Sequence, residues 1–225
     1  QIRFITEGEW RFGKGRYGAG WLGFFPEGAF YGPQQNLAES RGFVLQYPGP
    51  SGARFVTRAE ERNAQREMAA NGVRFESGLA HFPDGRRQDG AEALWEHVAG
   101  HPLEYPAPLY QDPVWLDTAR FDWLPSGVEG VAIKRLGYFN TRGPAIYLLR
   151  VDAGHALPAG RSGCPMMRYH YEGEATYAGE QLPSVSGLYF PPDTPYEALS
   201  TATGATLFCI ELQLAGNQPP LPYRI

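Results

Sequence analysis

The chain has 225 residues, 43% hydrophobic and 20% charged, with a net charge of −4; it is long enough to bury a sizeable core. No basic tract offers the clustered positive face that nucleic acid requires, and no apolar run approaches the roughly 18 residues that span a membrane. Gly (28) and Pro (20) are both abundant, which suits many short strands joined by turns.

Residues 2–6 are β-rich, and Glu7-Gly8-Glu9 makes a turn into a strand at Trp10 to Phe12. Gly13-Lys14-Gly15 is a second turn. Trp21 to Phe25, bounded by Gly20 and Pro26, has the apolar run of a buried strand. Tyr31 to Asn36 is a polar bend, and Phe43 to Tyr47 reads as a strand stopped by Pro48-Gly49-Pro50-Ser51-Gly52. Thr57 and Glu60 then have capping-box spacing, which predicts a helix running to about Ala70 and ending at Asn71-Gly72. A second helix is expected from Asp89, with Glu92 three residues on, to Gly100. Residues 101–127 are rich in aromatic residues and proline and read as an ordered, irregular connector. Strands follow at Val131 to Leu136, Ala145 to Val151, Met167 to Tyr171, Ala175 to Tyr177, Gly187 to Phe190 and Leu207 to Leu214. The tail NQPPLPYRI is expected to lie as an arm on a neighbouring surface.

The stretch from Met166 to Glu197 nearly repeats the start of the chain, at an offset of 165 residues and without gaps. Met166 falls on Gln1, Arg168 on Arg3, Glu172-Gly173-Glu174 on Glu7-Gly8-Glu9, Phe190-Pro191 on Phe25-Pro26, and Tyr196 on Tyr31. Two copies this far apart indicate two similar domains rather than a solenoid.

The repeated unit resembles the cupin family. YHYEGEATYAGE and FITEGEWRFGKG are similar to the turn after that family's first motif, and FPPDTPY and FPEGAFY to its second motif. The resemblance covers roughly residues 1–50 and 130–215. It implies a mainly β protein of two jelly-roll-like barrels with a short helical and Pro-rich insert. The expected divisions are 1–56, an N-terminal barrel incomplete at its start; 57–127, the insert; and 128–225, the C-terminal barrel. It also implies a homodimer. The chain begins without Met, inside a strand-like stretch, so residues upstream are expected.

A family-type metal site needs imidazole and carboxylate ligands that converge inside the barrel. In the second copy the family's Glu aligns with Met166 and its last His with Tyr196, while Ala159 to Ser162, where the His pair belongs, holds no His. No metal is therefore expected there. A divalent metal such as Fe, Mn, Ni, Cu or Zn in the first barrel is the alternative, although there the Glu position is Gln1 and the last His is Tyr31.

What stands in for the ligands suggests other chemistry. Side chains two apart on a strand share a face, so Met166, Arg168 and His170 point one way, with Tyr196 joining them. His170 as base, Tyr196 as acid or oxyanion donor and Arg168 as charge clamp are the candidate catalytic set. Met166 and Glu197 beside them, and Gln1, Arg3, Tyr31 and Gln34 in the first copy, are candidate ligand-binding residues. The plainer alternatives are that Arg168 pairs with Glu172 or Glu197, that His170 is a satisfied buried imidazole, and that Gln34 is an exposed turn residue. His97 and His101 stand four apart, but Gly100 and Pro102 break the helix between them. Cys164 and Cys209 read as buried free thiols of a cytoplasmic protein, with a disulfide between them as the alternative.

Three functions follow as expectations. The first is a small-molecule-binding bicupin, its ligand anionic or aromatic, with metal-independent lyase- or isomerase-like chemistry in the C-terminal barrel. The others are a metal-dependent oxygenase with its metal in the N-terminal barrel, and a ligand-binding or sensing protein without catalysis.

Overall fold

The computed structural model describes residues 1–29, 33–37, 39–47, 51–53, 55–105, 110–139 and 144–212. The fold is mainly β, with two α-helices among the described residues. Two compact units are formed: one by Gln1–Ile2, Phe25–Tyr31 and Val44–Pro113, the other by Arg3–Phe24, Gly32–Phe43 and Val114–Ile225.

The first copy of the repeat supplies β1 (Ile2–Glu7), β2 (Glu9–Phe12), β3 (Gly15–Gly18), β4 (Trp21–Phe24), β5 (Gln34–Asn36) and β6 (Arg41–Leu45). The last of these begins two residues before Phe43, where the expected strand starts. Gly42 belongs to it because a Cβ there would stand 2.7 Å from the Phe4 carbonyl oxygen, closer than any side chain allows.

Helix α1 (Arg58–Ala70) starts on the full capping box. The Thr57 hydroxyl accepts from the Glu60 amide at 3.3 Å, and the Glu60 carboxylate accepts from the Thr57 amide at 2.9 Å. Three short strands follow that the sequence reading did not anticipate: β7 (Arg74–Glu76), β8 (Leu79–His81) and β9 (Arg87–Asp89). Between β7 and β8 lie only Ser77 and Gly78, both at positive φ (52° and 81°), the signature of a tight hairpin turn. Helix α2 (Gly90–Ala99) is capped by the Asp89 carboxylate and ends at Gly100 with φ 76°. Ala64, Met68, Val73, Ala80, Ala93 and Leu94 form the core of this helical unit.

Within residues 101–127 the chain is more regular than its prolines suggest. Strand β10 (Val114–Asp117) pairs antiparallel with β4, from Val114 opposite Phe24 to Asp117 opposite Trp21. Trp115 drives this, stacking on Tyr17 at 3.8 Å and lying 4.9 Å from Phe12. A 3₁₀ turn (Thr118–Arg120) and β11 (Leu124–Pro125) lead into the second copy.

The second half of the chain comprises β12 (Val131–Tyr138), β13 (Ala145–Val151), β14 (Ala156–Leu157), β15 (Gly160–Arg161), β16 (Met166–Gly173), β17 (Ala175–Tyr177), β18 (Glu180–Leu182), β19 (Ser186–Phe190), β20 (Pro195–Tyr196), β21 (Leu199–Ser200) and β22 (Ala205–Glu211). Its main sheet has the order β11-β12-β13-β22-β16-β19. One face carries Ile133, Tyr147, Leu149, Leu207 and Cys209, packed against Leu157, Ala175 and Leu199 of the smaller sheet β14-β21-β17-β18. The opposite face packs on the first copy, with Phe208 stacked on Phe4 at 4.6 Å and Tyr169 beside Phe43 at 4.9 Å. The tail from residue 213, including the expected arm, lies outside the described residues.

The two copies share a strand plan. Strand β1 lies between β4 and β6 as β16 lies between β19 and β22, and β2 lies between β3 and β5 as β17 lies between β18 and β21. The offset of 165 also carries four left-handed corners: Gly8 and Gly173, Gly13 and Ala178, Gly20 and Val185, and Gly28 and Asp193 all have positive φ. At Gly173 the corner is obligatory, since a Cβ would lie 2.0 Å from the Gly204 carbonyl oxygen.

Candidate functional site

Strand β16 builds the centre of the site. Its alternation sends Tyr169 and Tyr171 to the face that meets Phe43 and Phe4, at 4.9 and 5.2 Å, and Met166, Arg168 and His170 to the other. Three rows result across the sheet. Met166 stands between Glu211 and Phe190, Arg168 between Cys209 and Leu188, and His170 between Leu207 and Ser186. Tyr147 on β13 lies beyond Cys209 in the middle row.

Arg168 is 3% exposed and His170 1%. Arg168 Nε and Nη1 and both ring nitrogens of His170 are buried without a hydrogen-bond partner. Leaving a buried donor unmade costs about 1–3 kcal/mol, and more for a charged group, so four such atoms on one strand face require an explanation. Glu172 and Glu197 do not provide one: both are exposed and neither forms an ion pair with Arg168. Ser186 does not serve His170: its hydroxyl donates to the Pro183 carbonyl at 2.5 Å, and neither ring nitrogen has a hydrogen-bond partner.

Aromatic faces take up part of the guanidinium's charge. Its central carbon lies 4.5 Å from the Tyr196 ring centre and 5.6 Å from that of Phe190. Tyr196 reaches this position on the two-residue pairing of β20 with β15, opposite Gly160. Glycine is needed there, since a Cβ would meet the Tyr196 hydroxyl oxygen at 2.7 Å.

Two residues that sequence reasoning passed over complete the site. The Tyr147 hydroxyl donates to Glu211 Oε1 at 2.9 Å and lies 3.8 Å from Met166 Sδ. Burial pushes the Tyr147 phenol well above its ordinary value, with Cys209 and Glu211 adding to the rise and Arg168 opposing it. Burial likewise raises the Cys209 thiol to about 12. The signal for Glu211 was available: it is a carboxylate two residues beyond Cys209, on the same face of an otherwise apolar strand.

In the first copy the equivalent arginine is partnered. Arg3 Nη1 donates to Gln34 Oε1, and its guanidinium lies 5.0 Å from the Phe12 ring centre. Gln34 sits on β5 with its amide committed to Arg3, rather than in a free turn. At the offset of 165 its counterpart is Leu199, which has no polar group to offer Arg168. Ile5 stands where His170 stands. Gln1 exchanges main-chain hydrogen bonds with Phe25, and Tyr31 lies outside the described residues. Glu197 contributes its amide to the Tyr177 hydroxyl at 3.2 Å.

The remaining histidines do not converge. His97 pairs with Glu67 at 2.8 Å, while His101 bonds the Pro102 carbonyl. Both cysteines are free and buried. No helix is long and apolar enough to cross a membrane among the described residues.

No protein-family model and no curated protein matches the chain. Solved structures do. A protein from Nostoc punctiforme described as a candidate dioxygenase aligns over 100% of this chain at 13% identity and a TM-score of 0.57. The chain has a cupin fold. It spans 66% of the length of the Nostoc protein. An RmlC-like cupin from Ralstonia eutropha aligns over 44% of this chain and 67% of its own, at 22% identity and a TM-score of 0.38. An acetylacetone dioxygenase from Acinetobacter johnsonii aligns over 48% and 76%, at 11% identity and a TM-score of 0.39.

The sequence resemblance implies imidazole and carboxylate ligands for a metal, so the donor set matters. The family's ligand positions in the second copy hold Met166 and Tyr196, with a guanidinium beside them, and a guanidinium is a donor of protons only. No group of three or more His, Cys, Asp or Glu residues is placed to hold a metal ion among the described residues. Met166 and Tyr196 do not supply the imidazole and carboxylate set that a family-type metal needs.

Proposed function

We propose that the protein is a two-barrel cupin that takes up a small anionic ligand inside its second barrel, with Arg168 as the charge clamp. The observation that carries this reading is the set of four buried, unpartnered nitrogen atoms on Arg168 and His170. A carboxylate accepts charge-assisted hydrogen bonds from a guanidinium, and the ring contacts of Tyr196 and Phe190 leave Nε and Nη1 without a hydrogen-bond partner. The internal repeat supports the assignment, since the same arginine in the first copy is served by Gln34 from within the chain. With His170 two positions from Arg168 on β16, metal-independent acid–base chemistry on the bound acid is the activity this reading extends to.

Thermal unfolding with a panel of small carboxylates tests the proposal. An acid at 100 times its Kd stabilises by about 2.7 kcal/mol, a rise of about 5–10 °C for a chain of this size. Arg168→Met removes that rise. A panel in which no acid raises the melting temperature, or a rise that survives in Arg168→Met, overturns the reading.

A further inference from the structure

Resting on that reading, we infer that the ligand is a short bifunctional acid, with a carboxylate on Arg168 and a second polar oxygen on His170, of the class of four- and five-carbon dicarboxylic or oxo acids. Both residues are on one face of β16, two positions apart, so their backbones are separated by about 6.6 Å along the strand. Both carry buried nitrogen atoms without a hydrogen-bond partner. A simple monocarboxylate that satisfies Arg168 leaves the imidazole unpartnered between Leu207 and Ser186. A ligand with a second oxygen relieves both. The imidazole offers an N–H in either protonation state, so an oxygen acceptor suits it throughout.

The other side chains around the pair set the limits of the ligand. Leu188 stands beside Arg168 in its row and Leu207 beside His170 in the next, so apolar side chains border the two polar groups and favour a methylene linker. The Tyr196 and Phe190 rings under the guanidinium limit thickness at the carboxylate end. The first copy lacks this second contact, because Ile5 occupies the His170 position, and its arginine is already bonded to Gln34.

The test compares acids of equal carbon number: butanoate with succinate and pentanoate with glutarate, measured by calorimetry on wild type, Arg168→Met, His170→Phe and His170→Gln. Wild type is expected to bind each diacid at least about tenfold tighter than its monoacid, as one added charge-assisted hydrogen bond gives. His170→Phe should bring that ratio to about one while monoacid binding persists. His170→Gln, which keeps a donor, should restore part of it and covers the case in which the phenylalanine variant does not fold. A ratio near one in wild type, or a ratio unchanged in both His170 variants, sinks this inference while loss of binding in Arg168→Met leaves the anion pocket standing. Absence of binding by all four acids, or binding undiminished in Arg168→Met, sinks the pocket and the inference together.

Discussion

Arg168→Met should leave the unliganded protein unchanged or more stable, whereas Arg3→Met should destabilise it. Removing a buried charge usually destabilises, because its partner is left behind. Arg168 leaves no hydrogen-bond partner behind at Nε or Nη1, so its substitution mainly relieves desolvation, which costs several kcal/mol per buried ion. Against this stand the two ring contacts at 4.5 and 5.6 Å, together worth about 1–2 kcal/mol. Methionine keeps most of the apolar stem. The balance is a free protein unchanged or more stable by about 1–2 kcal/mol, within the range seen when buried charges are replaced by apolar residues of similar volume. Arg3→Met breaks the hydrogen bond to Gln34 and should cost about 1–2 kcal/mol. Urea unfolding followed by tryptophan fluorescence measures both. A loss of about 3 kcal/mol or more in Arg168→Met, the size expected when a satisfied buried charge network is cut, would refute the reasoning and make Arg168 a structural ion.

Four further outcomes are expected. Tyr147→Phe should cost about 1–3 kcal/mol by removing the hydroxyl that serves buried Glu211, and an unfolding midpoint equal to wild type would show that Glu211 does not depend on it. Val185→Gly should stabilise by about 0.5–1 kcal/mol, because a β-branched residue is held at φ 66° where the first copy has Gly20; a lower melting temperature would contradict this. Neither cysteine should react with a thiol reagent at pH 8 in the native protein, while both react in denaturant, because burial holds Cys164 and Cys209 protonated and inaccessible. Stability should be constant at neutral pH and fall as the pH rises from about 9. Cys209, Tyr147 and Tyr171 all have folded-state values raised above their ordinary 9.0 and 10.0, so the unfolded chain loses their protons first. Urea midpoints that stay level from pH 8 to 11 would rule this out.

Much of this was legible in the sequence, and the limits have physical causes. Both helices were marked at each end by local chemistry, the Thr57–Glu60 box and Gly100, which act within four residues. The arrangement of Met166, Arg168 and His170 on one face followed from the period of two along a single strand. Strands β7 to β9 were missed because each is three residues long, too short to show a strand period, with Arg, Glu and Asp in β7 and β9, and only the Ser77-Gly78 turn marks them. Strand β10 was hidden by its neighbouring prolines, and its place depends on Trp115 finding Tyr17 98 positions earlier. The Tyr147–Glu211 bond, between residues 64 positions apart, depends on the register of β13 with β22. Such pairings are set by the closure of the sheet, and no window of sequence contains them. The partner of Arg3 was similarly out of reach, since Gln34 on its own is a polar residue in a polar bend.

The left-handed corners of the two copies bear on how such proteins can be recognised. Of the four paired positions, only Gly8 and Gly173 are glycine in both; elsewhere the second copy places Ala178, Val185 and Asp193 where the first has glycine. The side chains at these bends were exchanged while the bends stayed. A corner that keeps its place with valine in it, at a cost of about 1–2 kcal/mol, is held by the fold around it rather than by its own residue. Detection keyed to glycine spacing would register one half of this molecule and overlook the other; detection keyed to the intervals between corners would register both.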